Sequence, residues 1–92
     1  MQPVHPGRVL KRELQARKLS ANRLALALRV PSGRITSLLG GKRSVTPDTA
    51  LRLARYFGNS AQFWLNLQTR YDLLTTEAQI GERIKAEVLE AG

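Results

Sequence analysis

The dipeptide Val30-Pro31 constrains the fold of this chain more than any other feature of its sequence. Short segments with apolar residues at helical spacing lie on both sides of it. The proline ring fixes its own φ and disfavours the helical region for Val30, so the chain must turn here. Ser20 is a suitable N-cap before the first segment, and Gly40-Gly41 suits a left-handed helix end after the second. These signals predict two helices joined by a tight turn.

Helical spacing continues along the rest of the chain, and no segment has the alternating pattern of a strand. The predicted helices are 6–17, 21–28, Pro31 or Ser32 to 39, Thr46 to Phe57, and a fifth that Ser60 caps and that reaches residue 74. Ile80, Ile84 and Val88 repeat at every fourth position, which predicts either a sixth helix or an extension of the fifth. The expected fold is all-α: a five-helix bundle with a C-terminal helical extension.

Charge is unevenly distributed along the 92 residues, although the net charge is +8. Residues 1–70 contain 13 Lys/Arg and two acids, whereas residues 71–92 contain two Lys/Arg and five acids. A basic body concentrates polyanions around it. Nucleic acid is therefore the first candidate partner, ahead of a membrane surface or an acidic protein. Basicity that only aids solubility is the alternative.

Several function classes have no support in the sequence. The chain has no Cys and one His, His5, so it offers no disulfide, no thiolate metal site and no catalytic triad. We expect no enzyme activity, cofactor, metal or small-molecule ligand, and we assign His5 a structural role at a helix entry. The longest apolar run, at 24–28, is far shorter than the roughly 20 residues of a membrane span. With no secretory signal visible at the N-terminus, a cytoplasmic location is expected.

The predicted third helix has an outer face without acids. Residues 14–47 contain seven Lys/Arg and no Asp or Glu. Two helices joined by a tight turn have helix-turn-helix geometry, in which the second helix can lie in the DNA major groove. Short hydroxyls near the helix start and an Arg that reaches a guanine edge suit this role. The predicted base-reading side chains are Ser32, Arg34, Thr36 and Ser37, with Gly33 allowing close approach. A Ser/Thr-rich face that is merely solvated is the alternative.

Phosphate contacts are predicted at two places beside this helix. Lys42, Arg43 and Ser44 lie just beyond it, and Ser20 and Asn22 lie at the start of the second helix, where unpaired backbone N–H groups attract anions. Residues 1–74 would then form the DNA-binding domain.

Residues 75–92 form an extension or tail that we expect to contact a dimer mate or another partner. Phe63 and Trp64 point in different directions from one helix. We favour a core position for Trp64 and expect the second subunit of a twofold dimer to cover Phe63. The predicted dimer interface is Phe63, Ile80, Ile84 and Val88. The acidic residues of the tail could instead bind a basic partner protein.

Three blocks of the chain, in this order, resemble the HigA-type (VapI-type) antitoxins of the Xre, or phage-repressor-like, helix-turn-helix class. They are "HPGRVL" at 5–10, "LSANRLALALRVPSGRITSLLGGKRSVTPDTALRLARYFG" at 19–58 and "FWLNLQTRYDL" at 63–73. The resemblance covers about residues 5–74. A single helix-turn-helix is a weak signal, but three ordered blocks are a specific one.

This resemblance implies a five-helix repressor-like homodimer that binds a palindromic operator upstream of its own operon. It also implies neutralisation, by protein binding, of a HigB-like toxin that cleaves mRNA at the ribosome. The family's recognition helix falls on residues 32–39, with Ser32, Arg34 and Ser37 facing the groove. Its phosphate-contacting turn falls on residues 42–44, and its W-x-x-L-Q core falls on Trp64, Leu67 and Gln68.

The chain departs from the family pattern at two places. Arg8 stands where family members often have an acid, which removes a possible salt bridge of the first helix and adds a possible phosphate contact. The last 18 residues match poorly, so no family role is carried onto them. A stand-alone Xre-type transcriptional regulator without a toxin is the alternative function. A small RNA-binding module is disfavoured because the aromatic residues lie in helices rather than on a sheet that could stack bases.

Overall fold

The computed structural model of this protein describes residues 2–92, which contain five helices and no strand. The helices are α1 (Pro6–Arg17), α2 (Ala21–Leu28), α3 (Ser32–Leu39), α4 (Pro47–Phe57) and α5 (Ala61–Glu87). The predicted all-α fold is confirmed, and the bounds of the first four helices agree with the sequence prediction.

Local capping explains where most of these helices begin. Ser20, Thr46 and Ser60 each accept a hydrogen bond from the backbone N–H three residues further along, at 3.1, 3.4 and 3.0 Å. Such a side chain satisfies a backbone donor that has no partner within the helix. Pro31 adopts an extended conformation before α3 and provides no side-chain cap. Gly41, with φ of 73°, is the left-handed residue that ends α3.

The core lies between α1, α2, α3, α4 and the first turns of α5. Its buried apolar residues are Leu10, Leu14, Leu24, Ala25, Leu28, Ile35, Leu38, Val45, Ala50, Leu53, Ala54 and Trp64. Trp64 is 1% exposed, and its Nε1 donates to Asn59 Oδ1 at 2.9 Å, so the core position favoured for this residue is confirmed. Gly7 lets α1 pack directly on the end of α3, because a Cβ there would collide with the Leu38 carbonyl oxygen.

The fifth helix is much longer than the others and passes residue 74 without a break. Its 27 residues make a rod roughly 40 Å long. Only Trp64 and Gln68, both in its first three turns, are buried. The rest gives the molecule its elongated shape, 52 × 22 × 21 Å. Residues 75–87 therefore extend the fifth helix and do not form a sixth one. No helix within residues 2–92 is long and apolar enough to span a membrane.

Candidate nucleic-acid interface

The turn between α2 and α3 is fixed by backbone geometry. Arg29 adopts the left-handed conformation, with φ of 61°, and ends α2. The Val30 N–H then bonds the Ala25 carbonyl oxygen at 3.0 Å, and Pro31 leads the chain in extended conformation into Ser32. Ile35 and Leu38 anchor α3 in the core. The position of α3 is therefore determined by the turn on one side and by core packing on the other.

The outer face of α3 is small, polar and accessible. Ser32, Gly33 and Thr36 are exposed, and Ser37 is half-buried. A Cβ added at Gly33 would meet nothing within 4 Å, so a ligand can approach the backbone there. Thr36 Oγ1 donates to the Gly33 carbonyl oxygen at 3.3 Å. Three of the four predicted base-reading side chains therefore lie on accessible parts of this surface, which carries no acid.

Arg34 occupies a different position on α3. With 3.6 residues per turn, it lies roughly 160° around the helix from Ser32, on the flank that faces α4. Its side chain is 28% exposed, and its Nη1 donates to Asp48 Oδ1 at 2.8 Å. Arg34 is therefore far around the helix from Ser32 and Thr36 but only about 60° from Ser37, at the edge of the outer face, and the structure pairs it with an acid. Its predicted role requires the N–H groups that Asp48 does not engage.

Asp48 is the centre of a small network of charged groups. Its Oδ1 also accepts from Arg52 Nε at 2.9 Å, and Arg52 Nη1 donates to the Leu28 carbonyl oxygen at 2.8 Å. The hydrogen bonds from Arg52 and Arg34 hold the pKa of Asp48 below its ordinary value of 3.8. This carboxylate is therefore ionised at neutral pH. The sequence gives no local signal for the pairing of Asp48 with Arg34, because the two residues are 14 positions apart.

The turn after α3 exposes the predicted phosphate contacts. Lys42, Arg43 and Ser44 are all exposed. Within residues 2–92, neither Lys42 nor Arg43 forms an ion pair, so both cations remain available to an anion. We call residues 42–44 the basic turn.

Two groups from other parts of the chain anchor the basic turn. The Val45 N–H, directly after it, donates to Gln68 Oε1 on α5 at 2.8 Å in a buried hydrogen bond. His5, which precedes α1, lies beside Gly41, directly before this turn, and its ring packs edge-on against Tyr71 with centroids 4.9 Å apart. The anchoring roles of Gln68 and His5 were not predicted.

His5 also caps α1, as its predicted structural role requires. Its Nδ1 accepts from the Gly7 N–H at 2.9 Å. Burial lowers the pKa of the imidazole below 6.5, against the opposing effects of the Arg43 backbone and the charge of Asp72. The neutral ring is the form that can accept from Gly7, because a protonated imidazole has no acceptor nitrogen.

The other predicted phosphate site is at the start of α2. Ser20 Oγ is engaged as a cap, accepting from the Arg23 N–H, and Asn22 is exposed. The first turn of α2 contains no acid, so its partial positive charge is not compensated there.

The predicted dimer residues do not form one cluster. Phe63, 42% exposed, lies roughly 25 Å along α5 from Ile80. Ile80 and Ile84 lie one turn apart, whereas Val88 follows the end of α5 in extended conformation. Leu73, which the sequence reading did not include, shares a side of α5 with Ile80 and Ile84, at helical spacings of seven and eleven. We call Leu73, Ile80 and Ile84 the α5 stripe; Leu73 and Ile84 are exposed.

Comparison with known proteins is consistent with this arrangement. Residues 10–64 match the helix-turn-helix family. Virulence-associated protein I of Dichelobacter nodosus is 51% identical over 78 residues, which cover 84% of this chain and 72% of the relative.

Several solved structures resemble the whole molecule. An addiction module antidote protein of the HigA family from Coxiella burnetii is 48% identical with a TM-score of 0.95, covering 98% of this chain and 99% of that one. Pseudomonas aeruginosa antitoxin HigA, solved with the higBA promoter, is 39% identical with a TM-score of 0.96, covering 99% and 100%. The chain belongs to the HigA antitoxins of the Xre-type helix-turn-helix family.

Proposed function

We propose that this protein is a sequence-specific DNA-binding antitoxin that represses its own operon as a homodimer and neutralises a HigB-like toxin. The observation that carries the proposal is the accessible, acid-free outer face of α3 with the exposed basic turn directly after it. The promoter bound by the HigA of Pseudomonas aeruginosa supports operator DNA as the partner.

The residues divide between two kinds of DNA contact. Base reading is assigned to the α3 side chains Ser32, Arg34, Thr36 and Ser37, and phosphate binding to Ser20, Asn22, Lys42, Arg43 and Ser44. Hydrogen bonds to base edges carry the specificity, while the cations position the protein and supply most of the salt-dependent affinity.

Dimerisation is assigned to α5. The α5 stripe exposes apolar surface on a helix that the core does not use, and Phe63 adds a second apolar point nearer the bundle. In a twofold dimer the two copies of α3 would enter successive major grooves about 34 Å apart, so the operator should be a pseudo-palindrome. Replacing both Ile80 and Ile84 with Lys should yield monomers in sedimentation velocity. A dimer that persists in this variant would show that the interface lies elsewhere.

The toxin contact is assigned to the acidic end of the chain. Glu77, Glu82, Glu87 and Glu90 lie in or after the distal part of α5 and are exposed. A protein that binds mRNA is expected to be basic, so this end complements it in charge. Residues 1–74 would then carry the DNA contacts and residues 75–92 the toxin contact, with the dimer contact on both.

The proposal is tested by fluorescence anisotropy with the full chain. One duplex comes from immediately upstream of the gene, and a scrambled duplex of equal length is the control, each at two salt concentrations. Tight binding to the first duplex, with two protomers per site, is expected. Equal, weak and salt-sensitive binding to both would refute operator reading. If the protein binds the operator but does not bind a toxin encoded beside its gene, it is a stand-alone regulator.

A further inference from the structure

Asp48 is an unexpected residue at this surface. It is one of two acids among residues 1–70, and it lies against the predicted reading helix through Arg34. A carboxylate beside a surface that meets phosphates repels them. Asp48 should therefore contribute something that offsets this repulsion.

The carboxylate joins the ends of three helices. Arg34 belongs to the first turn of α3, and Asp48 belongs to the first turn of α4. Arg52 binds the same Oδ1 and also the carbonyl oxygen of Leu28, the last residue of α2. The contacts thus run from the end of α2 through Arg52 and Asp48 to the guanidinium of Arg34.

Stability does not account for this network. The Asp48 side chain is 57% exposed, and ion pairs at that exposure contribute little to stability. A favourable interaction with the dipole of α4 explains an acid at this position but not its contact with α3. The network does restrict the orientation of the Arg34 guanidinium. Asp48 engages Nη1 of Arg34, one nitrogen of a guanidinium that has five N–H groups, and leaves donors for another acceptor.

We propose that Asp48 is a positioning residue for sequence reading. It holds the guanidinium of Arg34 at the edge of α3 in the orientation from which its remaining donors meet a base, and Arg52 holds Asp48 in turn. This inference rests on the proposed function, because it requires α3 to read an operator. Asp48 itself does not touch the DNA.

The test is Asp48→Asn in the full chain, measured by anisotropy on the operator and scrambled duplexes. Glu13→Gln is the matched control, because Glu13 is the other acid among residues 1–70 and pairs with Arg17 on α1, at 3.2 Å. Both substitutions remove one negative charge, so both should bind scrambled DNA at least as tightly as the wild type. Only Asp48→Asn should lose operator preference, by about tenfold or more, the scale of one misplaced Arg–guanine contact.

A second measurement separates positioning from a general structural effect. If Asp48 acts through Arg34, then Asp48→Asn should cause no further loss of preference in an Arg34→Ala background. Unchanged or increased preference in Asp48→Asn, or an equal loss in both backgrounds, would overturn the inference. A wild-type protein without operator preference would instead refute the proposed function, and that result is read before any variant is made.

Discussion

Replacing Gln68 with Ala should weaken the fold and the basic turn together. Gln68 is buried; its Oε1 accepts from the Val45 N–H at 2.8 Å, and its Nε2 donates to Asp72 Oδ1 at 2.9 Å. Val45 is buried too and directly follows Ser44. One amide side chain therefore ties the end of the basic turn to α5, 23 positions away along the chain.

The expected magnitude follows from the burial of these groups. Truncation leaves the Val45 N–H without its acceptor, which costs about 1–3 kcal/mol for a buried donor. The cavity left by the side chain adds to this, so the free energy of unfolding should fall by about 2–4 kcal/mol. In a domain of this size the melting temperature falls by roughly 4–8 °C per kcal/mol, which predicts a drop of about 10 °C or more.

Urea unfolding followed by circular dichroism measures this loss, and Gln62→Ala is the matched control. Gln62 lies on the same helix and donates to Asn66 Oδ1 at 2.8 Å, but it is exposed. Its truncation should change stability by less than about 0.5 kcal/mol. Well below its melting temperature, Gln68→Ala should also bind operator DNA more weakly than Gln62→Ala, because its basic turn is no longer held.

Two results would contradict this reasoning. Equal, small losses of stability in the two variants would mean that the Val45 N–H is not dependent on Gln68. A large loss of stability with unchanged operator affinity at low temperature would mean that the basic turn keeps its position without this hydrogen bond, or that it does not contribute to binding.

Three further predictions concern the same surface and its supports. Replacing Lys42 and Arg43 with Ala should make the slope of log K against log salt concentration shallower by about 3.6 for a dimer, because each lost phosphate contact removes about 0.9. Anisotropy titrations at several salt concentrations measure this slope. An unchanged slope would mean that other residues bind the phosphates. Gly7→Ala should cost about 1–3 kcal/mol in urea unfolding, because its methyl meets the Leu38 carbonyl oxygen, a backbone atom that cannot turn aside. Because burial lowers the pKa of His5, the unfolded chain takes up this proton first, and the free energy of unfolding should fall as pH drops below 6.5. His5→Asn, which keeps a cap acceptor, should reduce this dependence in urea unfolding between about pH 7.5 and about pH 5.5.

The helix ends could be predicted from the sequence because their causes are local. Ser20, Thr46 and Ser60 each bond a backbone N–H only three residues away. Pro31 restricts its immediate neighbour, and Gly41 ends a helix through its own φ. Each of these signals acts within one turn of the residue that carries it, so no knowledge of the tertiary structure was needed.

The support of the candidate site could not be predicted in the same way. Arg34 met the requirements for base reading by residue type, but its partner is 14 positions away on another helix. The bond between Gln68 and Val45 spans 23 positions, and a polar residue in a helix gives no indication of which backbone donor it will meet. These contacts depend on how α3, α4 and α5 pack, and pattern alone does not contain that information.

The continuation of α5 was also undecided in the sequence, and its physical basis differs from that of the bundle. Gly81 disfavours a helix there by about 1 kcal/mol relative to Ala, and no residue after Gln68 is buried. Helical segments of this length are marginal in water when nothing packs on them. The distal part of α5 is therefore the part of the molecule whose stability has most to gain from a partner. Burial of the α5 stripe in a dimer would supply that stability and, in the same step, set the distance between the two copies of α3. Dimerisation and operator reading should then be thermodynamically linked: operator DNA should tighten the dimer by the same factor by which dimerisation tightens operator binding.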